Sequence, residues 1–114
     1  MNCKFFCRAL IVVAFGTLIS VPLVSAQPSP AGNVRDAVMY AKQAVDHGKQ
    51  GHADALVTHA EKSRNHAERG GKNPHLDEAI THLNEAVEHG KAGHGDVATK
   101  HAETALTHLN EVKF

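Results

Sequence analysis

The chain contains ten histidines, and their spacing is regular. Successive histidines lie 5, 7, 7, 9, 7, 7, 5, 7 and 7 residues apart. A step of seven is about two turns of an α-helix, so each helix would carry its histidines on one face. Heptad numbering places most of them at the border of the apolar stripe, between the core centre and the solvent face. They are His47, His52, His59, His66, His75, His82, His89, His94, His101 and His108.

Imidazole nitrogens at such a border can bind a transition-metal ion. Metal–imidazole bonds of about 2.0–2.1 Å place two nitrogen ligands of one ion about 3 Å apart. Histidines seven apart on one helix are separated by about 10.5 Å along its axis, so one helix is a poor chelator. A neighbouring antiparallel helix, about 8–10 Å away, can supply the second ligand. The spacing therefore predicts metal sites made of histidine pairs between helices.

An internal repeat organises the segments that would carry these pairs. Residues 33–68 align without gaps with residues 75–110 at an offset of 42, and thirteen of the 36 positions are identical. The clearest block is AVDHGKQGH against AVEHGKAGH. We interpret the two segments as one unit used twice.

Each unit has the pattern of two helices joined by a glycine turn. Apolar residues recur at helical spacing on both sides of the turn, which predicts amphipathic helices. Gly48 and Gly51 interrupt the pattern in the first unit, and Gly90 and Gly93 interrupt it in the second. Each unit is therefore predicted to be a helical hairpin.

The segment from Gly70 to Pro74 links the two units, combining a helix stop with a helix start. Short links between successive helices favour packing in alternating directions. The sequence predicts an all-α protein, an up-down-up-down four-helix bundle made of two duplicated helical hairpins. This His-rich domain would span residues 33–114, after a flexible, proline-bearing leader at residues 27–32. We expect a monomer, with a helix-swapped dimer as the alternative, because one hairpin duplicates the other.

Folding each unit at its turn predicts which histidines face one another. The second unit would contain three rungs, each made of two histidines that face one another from the two helices. A half-rung has a histidine on one helix only. The first unit would contain one rung and two half-rungs, because Asn33 and Tyr40 replace the residues equivalent to His75 and His82. The rungs pair His89 with His94, His82 with His101, His75 with His108 and His47 with His52, with His59 opposite Tyr40 and His66 opposite Asn33.

Carboxylates near these rungs could add oxygen ligands. A two-histidine rung with a carboxylate or water suits Cu(II), Ni(II) or Zn(II), and the Irving–Williams order places Cu(II) first. Met39 is the one soft ligand after residue 26, which argues against a dedicated Cu(I) site. The candidate oxygen ligands are Asp36, Asp46, Glu61, Glu78, Glu85, Glu88 and Glu103.

The first 26 residues have the layout of a secretory signal. Lys4 and Arg8 precede an almost wholly apolar stretch at residues 9–24, and Val24-Ser25-Ala26 resembles a signal-peptidase site. We expect cleavage after Ala26 and a periplasmic or secreted protein with no membrane attachment. The alternative is an uncleaved anchor. Cleavage would also remove both cysteines.

Charge and motifs narrow the classes of function. Residues 27–114 carry ten basic and twelve acidic residues, and that balance provides no basic surface for nucleic acid. The sequence has no HExxH or CxxCH motif and no phosphate-binding glycine loop. It also lacks a nucleophile with its base in a recognisable setting. We therefore predict a metal-binding protein that is not an enzyme.

Two other interpretations compete with metal binding. The protein could be a structural or interaction bundle whose histidines are tolerated border residues. It could instead respond to pH, because imidazoles with a pKa of about 6.5 gain charge in mild acid. Ten histidines at heptad spacing, kept through a duplication, favour metal ions as the partners.

The repeated HGKxGH turn and the segments THLNEAVEHGKAGH and VATKHAETALTHLN resemble the bacterial small metal-binding proteins. The resemblance covers roughly residues 33–112. It implies a periplasmic, His-rich helical protein that binds copper preferentially and takes other divalent ions, for scavenging, buffering or delivery. It also implies that all ten histidines are ligands. Asn33 and Tyr40 depart from the pattern.

Overall fold

The computed structural model describes residues 27–114, and the predicted signal at residues 1–26 lies outside the described residues. The described part contains four helices and no strand, which confirms the predicted all-α class. Within these residues, no helix combines the length and the apolar character needed to cross a membrane. The helices are α1 (Pro30–Lys49), α2 (Ala53–Ala67), α3 (Pro74–Lys91) and α4 (Gly95–Glu111).

Two helices begin with a side-chain cap followed by proline. The Ser29 hydroxyl accepts a hydrogen bond from the Gly32 amide at 3.1 Å, and proline occupies the first turn of α1. Residues 30–32, which the sequence analysis assigns to a flexible leader, therefore lie in α1. Proline suits the first helical position, so Pro30 begins this helix rather than preceding it. At α3 the predicted start is confirmed, since Asn73 is the N-cap and Pro74 follows it.

The turns inside the two hairpins have matching backbones. Gly51 has a φ of 78° and its repeat equivalent Gly93 has a φ of 82°. In each turn the histidine after this glycine donates its amide to the carbonyl of the histidine before the turn, at 2.9 Å and 2.8 Å. A side chain at either glycine would be strained in this left-handed conformation. The two turns thus bring equivalent histidines together in the same way.

The helices pack as a four-helix bundle around a core of small residues. Helix α1 packs against α2 and α4, and α3 packs against the same two helices. The largest fully buried apolar side chains are Leu56, Leu76, Leu83 and Leu109, and most of the other core residues are alanine or valine. The predicted apolar stripes form this core. Val38, Ile80, Leu106 and Val112 lie at its edge and are partly buried.

Glycine permits the two hairpins to approach closely. A Cβ atom placed on Gly90 of α3 would collide with the Val57 side chain of α2, and one on Gly48 of α1 would collide with Thr99 of α4. Gly48 and Gly90 are 42 residues apart, as are Val57 and Thr99. The two contacts between hairpins therefore use equivalent positions of the repeat.

We expect Gly90→Ala to destabilise the protein. Overpacking at a core contact costs about 1–3 kcal/mol, whereas alanine gains only about 1 kcal/mol over glycine in a helix interior. The free energy of unfolding, measured by urea denaturation, should fall. Gly95→Ala is the control, because a Cβ there would meet Ala53 at an ordinary 3.9 Å. If Gly90→Ala were as stable as the parent protein, this view of the hairpin interface would be wrong.

Candidate metal centre

Helices α3 and α4 bring six histidines into one stack. The ring centroids of the three predicted pairs are 6.1 Å apart for His75 and His108, 5.5 Å for His82 and His101, and 5.8 Å for His89 and His94. Rings of neighbouring pairs also stack. The centroids of His82 and His108 are 5.7 Å apart, and those of His89 and His101 are 5.4 Å apart. We call this stack, in the order His75, His108, His82, His101, His89 and His94, the α3–α4 histidine column.

Helices α1 and α2 form a similar but interrupted stack. His47 lies 5.9 Å from His52 and 5.0 Å from His59, measured between ring centroids. Tyr40 then lies between His59 and His66, at 6.2 Å and 5.4 Å. We call the stack of His52, His47, His59, Tyr40 and His66 the α1–α2 column. The predicted facing positions are thus found in both hairpins.

The burial of the histidines agrees with a position at the border of the core. Eight are partly buried, and the two exposed ones, His52 and His94, are the N-cap residues of α2 and α4. The partly buried rings pack against neighbouring residues and keep part of their surface accessible to solvent. Such rings are held in place and are still open to an incoming ion.

A carboxylate joins the central pair of the α3–α4 column. Glu85 Oε2 lies 2.9 Å from His82 Nδ1 and 2.8 Å from His101 Nδ1. The two Nδ1 atoms are 3.2 Å apart. All three separations are close to the roughly 3 Å expected between ligands of one transition-metal ion. His82, Glu85 and His101 therefore form a candidate three-ligand group.

A second group lies at the end of the column where α3 begins. Glu111 Oε2 is 3.0 Å from His75 Nδ1 and 3.5 Å from His108 Nδ1, and all three ligand atoms lie within 4.8 Å of one another. Glu78 approaches His108 Nδ1 to 2.9 Å from the side of α3. Glu111 was not among the oxygen ligands predicted from the sequence. Its position three residues after His108, on the same helix face, was the signal that could have identified it.

Several buried side-chain atoms of the two columns lack a hydrogen-bond partner. Among residues 27–114, five buried side-chain atoms lack a hydrogen-bond partner: His47 Nδ1, His59 Nδ1, His75 Nδ1, His108 Nδ1 and Glu85 Oε2. Three of them nevertheless lie within 3.0 Å of an imidazole nitrogen or carboxylate oxygen of another residue. Buried polar groups rarely stay unpaired. Nitrogen and oxygen atoms that converge in this way fit a divalent transition metal.

Two of the predicted oxygen ligands have another partner. Glu61 Oε1 accepts a hydrogen bond from Lys91 Nζ at 2.7 Å, and this bond lowers the pKa of the Glu61 carboxyl. Glu103 pairs with Lys49 Nζ at 3.1 Å. Both ion pairs join the two hairpins, which sequence spacing within one hairpin could not reveal. We therefore remove Glu61 and Glu103 from the candidate ligands.

The other predicted oxygen ligands divide into those near a histidine and those in solvent. Asp36 lies 3.8 Å from His66 Nδ1, which also approaches the Asn33 side-chain oxygen at 3.3 Å. Asp46 and Glu88 are exposed and belong to neither three-ligand group. The structure thus favours Glu85, Glu111 and Glu78 as the carboxylates nearest to the histidines.

One histidine of the α1–α2 column has a perturbed pKa. Burial lowers the pKa of His59 below its ordinary value of 6.5, and the neighbouring charges of His47 and Lys62 lower it further. A lowered pKa keeps the imidazole neutral, with a free nitrogen, in mildly acidic solution. Protonation would also disfavour the folded state.

We expect this shift to make the metal-free protein less stable in mild acid. Because the folded pKa of His59 is depressed, its contribution to stability is complete above pH 6.5 and is lost as the pH falls through the folded value. The free energy of unfolding should therefore decline less steeply between pH 6.5 and about pH 5 in His59→Gln than in the parent protein. His52→Gln, at an exposed position of the same column, is the control. An unchanged slope in His59→Gln would contradict the assignment.

Comparison with known proteins agrees with this geometry. The profile of the small metal-binding protein family matches residues 5–112, which include all ten histidines and both three-ligand groups. Comparison with curated proteins finds no match. The resemblance inferred from the repeated turn and the heptad histidines is confirmed. The chain belongs to the small metal-binding protein family.

Proposed function

We propose that this protein is a periplasmic metal-binding protein that binds divalent transition-metal ions, Cu(II) preferentially, through histidine pairs between helices. Its role would be scavenging, buffering or delivery of the ion. The observation that carries the proposal is the group of His82, Glu85 and His101, whose three donor atoms lie 2.8–3.2 Å apart. No separate rearrangement of the helices is needed to bring these donors to one point.

The preference for Cu(II) is inferred from the donor atoms. Both three-ligand groups offer two imidazole nitrogens and one carboxylate oxygen, a set that suits Cu(II), Ni(II) and Zn(II). Affinity for such donors generally rises to a maximum at Cu(II) across the divalent series. Met39, the one sulfur-containing residue after residue 26, is exposed on α1. A thioether-rich Cu(I) site cannot be built from it.

The exposure of the groups supports reversible binding. Glu111 is exposed and the other five members of the two groups are partly buried, so we expect an ion to reach the donor atoms by side-chain movement rather than by unfolding of the helices. Open sites of this kind suit exchange of ions with a partner or with the medium. We propose that the protein releases its ion unchanged and performs no reaction as an enzyme.

The proposed location is inferred from the sequence before the helices. The secretory layout of residues 1–26 directs the protein out of the cytoplasm. Histidine and carboxylate ligands do not depend on reduced thiols, so the sites after residue 26 would persist in an oxidising compartment. A periplasmic binder with these ligands would meet Cu(II) rather than Cu(I) in aerobic conditions.

Removing the central pair tests the proposal. We expect His82→Ala combined with His101→Ala to reduce the number of Cu(II) ions bound at high affinity, because only the carboxylate of that group remains. The measurement is a calorimetric titration of the purified protein with Cu(II) at neutral pH, in a buffer that competes weakly. Thr81→Ala combined with Lys100→Ala changes the neighbouring exposed residues and serves as the control. Unchanged copper stoichiometry in the histidine variant would refute binding at this pair.

A further inference from the structure

The two hairpins differ at the positions that complete the three-ligand groups. At the offset of 42, Tyr40 occupies the position of His82, Gln43 that of Glu85, and Arg69 that of Glu111. The first hairpin therefore has a phenol, a neutral amide and a cation where the second has an imidazole and two carboxylates. Neither three-ligand group within residues 27–114 includes a residue of the first hairpin.

One histidine of the first hairpin, His66, is also held by a neighbouring side chain. His66 Nδ1 faces the Asn33 side-chain oxygen at 3.3 Å, and Asn33 is held in turn by its amide nitrogen, which donates to the Arg69 carbonyl at 3.3 Å. Tyr40 separates His66 from His59 in the stack. His47, His52 and His59 remain as neighbouring nitrogen donors, without a carboxylate among the predicted groups.

The two hairpins differ in charge at these positions, and this difference changes how strongly each attracts a divalent cation. A carboxylate ligand attracts the ion by a Coulomb interaction that is stronger at a partly buried site than in bulk water. Gln43 cannot provide that attraction, and a cation at Arg69 opposes it. A site with a given number of histidine ligands should therefore bind a dication more tightly in the second hairpin than in the first.

We propose that divalent transition-metal ions load the α3–α4 hairpin first, at the His82–Glu85–His101 and His75–His108–Glu111 groups. The α1–α2 hairpin binds such ions more weakly and fills after these two groups. This inference rests on the proposed function, because it assigns an order to the same metal-binding activity. The protein would then hold its first ions tightly and exchange later ones more readily.

The fluorescence of Tyr40 can report metal binding in the α1–α2 hairpin. Tyr40 is the one tyrosine of a chain without tryptophan, so tyrosine emission comes from this residue alone. Its ring stacks between two histidines of the α1–α2 column. A paramagnetic Cu(II) ion bound by these histidines would quench the emission, and an ion in the other hairpin would do so less.

The test is a stepwise titration of the purified chain with Cu(II), with two readouts in the same sample. Visible absorption of bound Cu(II) reports total loading, and tyrosine emission reports loading near Tyr40. We expect absorption to rise from the first addition, while most of the emission is lost only after the two carboxylate-containing groups are filled. Emission that falls in proportion from the first addition would overturn the loading order while leaving metal binding intact. A chain that gains no Cu(II) absorption would refute the proposed function itself.

Neutral variants show whether the carboxylates set the order. Glu85→Gln combined with Glu111→Gln should abolish the delay, so that Tyr40 emission falls from the first addition. Asp77→Asn combined with Asp96→Asn removes the same charge from exposed positions of the same hairpin, and the delay should persist. A delay that survives in the glutamate variant, or disappears in the aspartate control, would contradict the proposal.

A reciprocal change tests the same idea by gain of binding. Tyr40→His combined with Gln43→Glu gives the first hairpin the residue types of the His82–Glu85–His101 group, because His59 is already equivalent to His101. We expect one additional Cu(II) ion bound at high affinity, measured by calorimetry. The parent stoichiometry in this variant, with unchanged helical circular dichroism, would argue against the residue differences as the cause.

Discussion

Close packing of the helices is the constraint on which the donor groups depend, since imidazoles on different helices meet only when the backbones approach closely. Ten of the eighteen buried apolar residues are alanine, which leaves short side chains between the helices. Gly48 and Gly90 have no side chain, which likewise permits close contact between the two hairpins. Larger core residues would separate the helices and, with them, the paired Nδ1 atoms of His82 and His101.

The proposed metal sites carry a cost in the metal-free protein. Buried nitrogen and oxygen atoms without hydrogen bonds disfavour the folded state, and the small core offers limited compensation. A bound ion would satisfy several of these atoms together, so binding and folding would be coupled.

Much of this arrangement could be predicted from particular residues. Heptad spacing and the glycine turns predicted the partners of His82 and His89. In a hairpin of two regular helices, residues at equal distances from the turn face each other. The stacking of neighbouring pairs was not predicted, since it depends on ring rotamers. The ion pairs of Glu61 and Glu103 were not predicted, because their lysine partners lie on the other hairpin and spacing within one unit carries no information about them. The start of α1 was placed too late, although the Ser29 cap was visible in the sequence.

The central claim is that an ion binds between helices α3 and α4, at the His82–Glu85–His101 group or at the His75–His108–Glu111 group. Anomalous X-ray diffraction from crystals grown with one equivalent of Cu(II), recorded at the copper absorption edge, would locate the ion directly. The account predicts an anomalous peak within bonding distance, about 2.0–2.2 Å, of ligand atoms from one of the two three-ligand groups of this hairpin. Peaks confined to the exposed His52 and His94, or to the α1–α2 hairpin, would contradict it.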